Sequence, residues 1–96
     1  MLEIIDTHCH IHEDGYPDAP TVIKAGKDLG VIKFICIGTD LESSKKAVAF
    51  AKKHKKDGAF ASIGIHPHEA TSDKINQNLS SKVWAEMSEL AKEPEV

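Results

Sequence analysis

The sequence predicts an α/β protein, a parallel segment in the order βαβαβα. Three observations predict it. Short apolar runs alternate with stretches of helical periodicity, the pattern of crossover-connected parallel strands. The run from Val31 to Gly38 is apolar on both faces and broken only by Lys33, which suits a strand buried between two layers. The first two helix-length stretches each lie between two strand-like runs, as right-handed crossover connections require.

The elements follow in order. Leu2 to His8 is apolar and then polar, and reads as a buried first strand. Pro17 and Pro20 bracket a turn, Asp18 can cap, and Pro20 suits the first helical turn because its missing N–H is not needed there. Val22, Ala25, Gly26 and Leu29 fall at helical spacing, and Gly30 is a natural stop. After the second strand, Asp40 caps a second helix whose inner face is Ser44, Ala47, Val48 and Ala51, with Gly58 at its end. Ala59 to Ile65 is a third strand. Leu79 to Lys92 is a third helix with Leu79, Val83, Met87 and Leu90 inward, and Trp84 is expected to pack against a neighbouring layer. Lys92 to Val96 reads as a loop leading to the first residue of a fourth strand.

Composition narrows the function. The chain has 96 residues, 41% of them hydrophobic and 28% charged, as expected for one globular domain. Its formal charge is -3, which excludes a broadly basic coating for nucleic acid. All 12 basic residues are lysine, so a phosphate contact must use Lys, backbone N–H groups or a metal in place of the bidentate Arg fork. The run Lys52, Lys53, Lys55 and Lys56 reads as a solvated helix face. Cys9 and Cys36 lack Cys-x-x-Cys spacing, the amino terminus has no secretory pattern, and no window has transmembrane length. Free thiols in a reduced, cytoplasmic setting, with no membrane partner, are expected.

Two motifs carry chemistry. The first is Asp6-Thr7-His8-Cys9-His10. Strict strand alternation puts Asp6, His8 and His10 on one face and Thr7 and Cys9 on the other. Two imidazoles about 7 Å apart along a strand can converge on one cation. They stand at a carboxyl strand end, where parallel α/β folds place their sites. The alternative is a structural His pair. Asp6 either orients a ligand histidine or ties down the strand end. The second motif is Gly64-Ile65-His66-Pro67-His68. His66 continues the face of Phe60, Ser62 and Gly64, so it points inward, either to order the loop or to contact a substrate phosphate. His68 is the more exposed of the two. His12 and His54 are expected to face solvent, Cys36 to be a small core residue, and Cys9 to point away from the metal.

Ile5-Asp6-Thr7-His8-Cys9-His10 and Ile63-Gly64-Ile65-His66-Pro67-His68, with Phe34-Ile35-Cys36-Ile37-Gly38-Thr39-Asp40 between them, resemble the TatD family of metal-dependent deoxyribonucleases, within the amidohydrolase-like barrels. The resemblance runs through essentially the whole chain and corresponds to the amino-terminal part of a family member. It implies the first three or so βα units of a TIM-like (β/α)8 barrel, one partial domain over residues 1–96 that stops before the fourth strand. A complete barrel takes roughly 250 residues. It implies hydrolysis of DNA phosphodiester bonds with divalent metal ions (Mg, Mn or Zn), two in the intact enzyme. His8 and His10 then resemble ligands of one metal, and His66 and His68 residues that meet the substrate. The family's acidic ligands and catalytic Asp come from later strands, beyond Val96. Glu69 and Glu95 do not match them, so no catalytic residue is assigned and this chain alone is expected to be inactive. The alternatives are a non-catalytic assembly module associating through open sheet edges, or a like barrel acting on another ester or an amide.

Overall fold

The structure, a computed structural model, describes residues 2–15 and 18–96. Pro17 of the expected turn lies outside the described residues. Three parallel strands form one sheet in the order β1-β2-β3, with β1 Ile4–Cys9, β2 Val31–Ile37 and β3 Ala59–Ser62. Helix α1 (Ala19–Asp28) connects β1 to β2, and α2 (Leu41–Lys53) connects β2 to β3. A short α3 (Ile75–Asn78) and α4 (Ser81–Leu90) follow. This is the parallel, helix-alternating arrangement with which a TIM-like barrel begins.

Local chemistry explains the elements. Asp18 caps α1 by accepting from the Thr21 amide, and Asp40 caps α2 by accepting from the Ser43 amide at 2.8 Å. A single 3₁₀ turn over Lys55–Asp57 separates α2 from Gly58. Gly58 holds φ +88, and a Cβ there would stand 2.2 Å from the Ile32 carbonyl oxygen, so this turn admits only glycine.

The core lies between β2, β3 and α2. Phe34 and Cys36 meet Ala47, Val48 and Ala51, and Ala59 and Ala61 complete the layer. Alanine on both helix and strand lets α2 approach the sheet closely. Ile11 and Ile23 extend this core towards β1, whose own side chains stay largely exposed: Ile4 and Ile5 are 38% and 53% accessible. In α1 the inward residue is Ile23, and Val22 is exposed.

Several expectations shift. The third strand ends at Ser62, because the chain turns into the loop that carries His66. The expected third helix is the shorter α4, which starts after Ser80, whose hydroxyl caps it by accepting from the Val83 amide, and the short α3 before it was not expected. Only Met87 of its inner stripe is fully buried, and Trp84 is 59% exposed rather than packed. His54 is buried, not solvent-facing: it closes α2, tilts against Phe50 at 4.4 Å, and has Nδ1 3.2 Å from an Asp57 carboxylate oxygen. The Glu95 carbonyl accepts from the Ala61 amide at 2.9 Å, so the chain meets the free edge of β3 there through one backbone bond. No helix among the described residues is long and apolar enough to cross a membrane.

Candidate functional site

The carboxyl ends of β1 and β3 bring four histidines together. His8, His10, His66 and His68, with Ile37, Thr39 and Glu69, line one depression of about 240 Å³. Nε2 of His8 lies 3.2 Å from Nε2 of His10, and their rings meet edge-on at 5.1 Å. The His66 and His68 rings are 4.6 Å apart, and Nδ1 of His66 accepts from the His68 amide at 3.1 Å.

The first turn of α2 builds the floor. The Ser44 hydroxyl is wholly buried and accepts from the Gly64 amide at 3.2 Å, which docks the loop after β3 onto α2. Gly38 makes room for this bond, since a Cβ there would lie 2.7 Å from the Ser44 Cα. The His66 amide donates to the Thr39 carbonyl at 2.7 Å, so the two strand-end loops are tied directly to each other.

Ser43 anchors the loop after β1. Its hydroxyl donates to Glu13 Oε1 at 2.5 Å and accepts from the Thr39 amide at 3.2 Å. Nε2 of His12 lies 3.4 Å from the same hydroxyl and 3.2 Å from Glu13 Oε1. The His12 side chain is completely covered, not the exposed loop histidine that its place beyond the strand suggests. Burial lowers its pKa from the ordinary histidine value, and Glu13 opposes that. Ser43, Ser44, Glu13 and His12 thus support the site. A Ser-Ser pair just after a helix cap is the one sequence signal that could have found them.

Asp6 does not join the depression. Its Oδ1 accepts from the His8 amide at 3.1 Å, the strand-end tie of the two roles its position allows. Strict alternation fails because β1 is irregular: Asp6 pairs with Phe34, but Cys9 pairs with Cys36. Three steps on β1 match two on β2, and one extra residue re-aims the side chains that follow. Cys9 donates to the Ile35 carbonyl at 3.4 Å and lines, with Asp6, His8 and His10, the neighbouring cleft against α1. A hydrogen bond from Cys36 lowers the Cys9 pKa to about 7, against the opposing effect of burial, while the Cys36 thiol is pushed far up.

The His8–His10 spacing suits one cation. Two nitrogens each about 2.0–2.1 Å from a metal, at tetrahedral or octahedral angles, stand about 2.9–3.4 Å apart. Two imidazoles supply two ligands, and no group of three His, Cys, Asp or Glu able to hold an ion occurs among the described residues. Glu69, at the rim, has Oε2 3.5 Å from the Lys74 ammonium.

Comparison with known proteins adds to this geometry. Residues 5–96 match the family described as TatD related DNase. A 3'-5' ssDNA/RNA exonuclease TatD of Cronobacter turicensis is 34% identical over 79 residues, which cover 82% of this chain and 27% of that protein. The protein of the same name from Cronobacter sakazakii is 36% identical over 55 residues, covering 57% of this chain and 20% of its own length. An uncharacterized metal-dependent hydrolase of Mycoplasma genitalium is 37% identical over 73 residues, covering 71% and 26% respectively. The chain therefore spans about a quarter of the length of these relatives.

Proposed function

This chain belongs to the TatD related DNase family, and on that premise we propose that it forms the first βα units of a metal-dependent hydrolase that cleaves DNA phosphodiester bonds. The observation that carries the proposal is the His8–His10 pair, Nε2 to Nε2 at 3.2 Å, in a depression shared with His66 and His68. The relatives' names as nucleases and as a metal-dependent hydrolase support the same reading.

In this reading His8 and His10 hold a divalent cation, Mg, Mn or Zn, one of two in the intact enzyme. A cation so placed supplies Lewis-acid polarisation of a phosphoryl oxygen and a lowered pKa for water. His66 and His68 face the substrate phosphate from across the depression and orient it by hydrogen bonding. Asp6 holds the strand end through the His8 amide. Ser44 and Thr39 fix the His66 loop against α2 and the loop after β2, so positioning needs little rearrangement on binding. The acidic groups of the reaction come from later strands of the intact protein, and residues 1–96 alone turn over no substrate. A reduced, cytoplasmic setting belongs to this reading, since Cys9 and Cys36 lack Cys-x-x-Cys spacing.

The test uses the protein in its full native reading frame, with single-stranded DNA and Mg²⁺ or Mn²⁺. The wild type should release nucleotides, and His8→Ala/His10→Ala should lose on the order of 100-fold or more of that rate, since even outer-shell changes at metal sites cost 10–100-fold. Equal activity in the double variant would remove the metal assignment. Parallel assays on RNA, a phosphotriester and an amide distinguish the substrate class. A second reading, a non-catalytic assembly module, draws on the exposure of Ile4 and Ile5 on edge strand β1.

A further inference from the structure

The two cysteines stand 27 positions apart in the sequence, yet the fold sets them side by side. Cys9 on β1 and Cys36 on β2 are register partners in the parallel ladder. Without the extra residue in β1, His8 would stand opposite Cys36. Neighbouring strands run about 4.8 Å apart, inside the Cα–Cα range of about 4.4–6.8 Å that a disulfide spans. Both sulfurs lie on the helix-facing side, where Cys36 belongs to the core and Cys9 packs against it.

Access to the pair is one-sided. Cys36 is fully buried, at 0% exposure, while Cys9 is half-buried. Cys9 also lines a cleft of about 390 Å³ between β1 and α1, bounded by Val22, Ile23, Gly26 and Phe34. A small neutral oxidant can enter that cleft and reach the Cys9 sulfur, but not that of Cys36. One thiol is thus placed to be attacked first and the other to resolve the product.

We propose that Cys9 and Cys36 form a dithiol modification site, which a hydroperoxide oxidises to an intramolecular disulfide joining β1 to β2. The sulfur of Cys9 attacks the O–O bond, which breaks. The sulfenic acid of Cys9 forms, and the departing oxygen leaves as water or, from an alkyl hydroperoxide, as an alcohol. The Cys36 sulfur then attacks the Cys9 sulfur, the S–O bond breaks, the S–S bond forms, and water leaves carrying the proton of Cys36. With hydrogen peroxide, two thiols and one peroxide become one disulfide and two waters, and both electrons the oxidant takes come from sulfur. The bond staples the exposed edge strand to the central strand at the end that carries His8 and His10. The site stands on register and burial alone and does not depend on the hydrolase reading.

The test treats the folded 96-residue chain with one equivalent of hydrogen peroxide, alkylates the remaining thiols and maps the peptides by mass. The expected result is loss of both free thiols in the monomer, a linked Cys9–Cys36 peptide lighter by about 2 Da, and full reversal by dithiothreitol. In Cys36→Ala, Cys9 should accumulate as a sulfenic acid that a dimedone probe traps. In Cys9→Ser, Cys36 should stay a thiol until the chain is unfolded in urea. Circular dichroism on each variant checks that it remains folded, and the wild-type peptide map decides the question if either does not. Disulfide-linked dimers in place of the internal bond, a persistent wild-type sulfenic acid, oxidation of Cys36 first, or two unreacted thiols would each overturn the proposal.

Discussion

Nε2 of His8 and Nε2 of His10 lie 3.2 Å apart at the end of an edge strand. Two neutral imidazoles can share that distance through one proton or through one cation. The strand and the Asp6 tie to the His8 amide position them there. The structure around the pair makes further consequences measurable.

Ser44→Ala should destabilise the chain by about 1–3 kcal/mol, because it leaves the Gly64 amide without its buried partner. Urea unfolding gives the value. A change near zero would mean that the loop carrying His66 does not depend on α2.

Gly38→Ala should cost about 1–3 kcal/mol or more through overpacking, since its Cβ would meet the Ser44 main chain at 2.7 Å. Ser44→Ala removes the hydroxyl but leaves that main-chain atom in place. Most of the Gly38→Ala penalty should therefore persist in the Ser44→Ala background. A double-mutant cycle by urea unfolding decides. A penalty that vanishes in that background would place the clash on the Ser44 hydroxyl instead.

Acid should remove one surface contribution. Hydrogen bonds from Lys27 and then His54 hold the Asp57 carboxyl below its ordinary value of 3.8. A carboxylate whose folded pKa is depressed stabilises the fold above the unfolded value, and that contribution is lost as pH falls through the folded value. Asp57→Asn should therefore flatten the stability curve below about pH 4 and lower stability at neutral pH. A variant with unchanged acid slope would contradict this.

The open edge of β1 should drive association of the isolated chain. Ile5 is 53% exposed there, and a lysine on an edge strand blocks pairing. Light scattering should show mass rising with concentration for the wild type and a monomer for Ile5→Lys. A wild-type monomer at every concentration would sink both this prediction and the assembly-module reading.

The alternation of elements was legible because short apolar runs alternate with stretches of helical periodicity. Val31–Ile37 with Ala47, Val48 and Ala51 is the clearest case, and the core is built on these elements. The gathering of His8, His10, His66 and His68 was legible for a topological reason: parallel strands share one end for their carboxyl termini. The irregularity between Asp6 and Cys9 was not legible, because a one-residue register shift leaves no mark in an apolar pattern. That shift put Cys9 beside Cys36. The burial of His12 and His54 was hidden for a different reason. Each is covered through partners distant from its own local pattern, Ser43 for His12 and the Phe50 ring with Asp57 for His54.

The central claim is that His8 and His10 form the cation anchor. Its most direct test is a Mn²⁺ titration of the isotope-labelled 96-residue chain, followed by NMR of the six histidine rings. The His8 and His10 resonances should broaden first and together, and His8→Ala/His10→Ala should abolish this step. First broadening at His54 or at the His66–His68 pair alone, or an unchanged profile in the double variant, would contradict it.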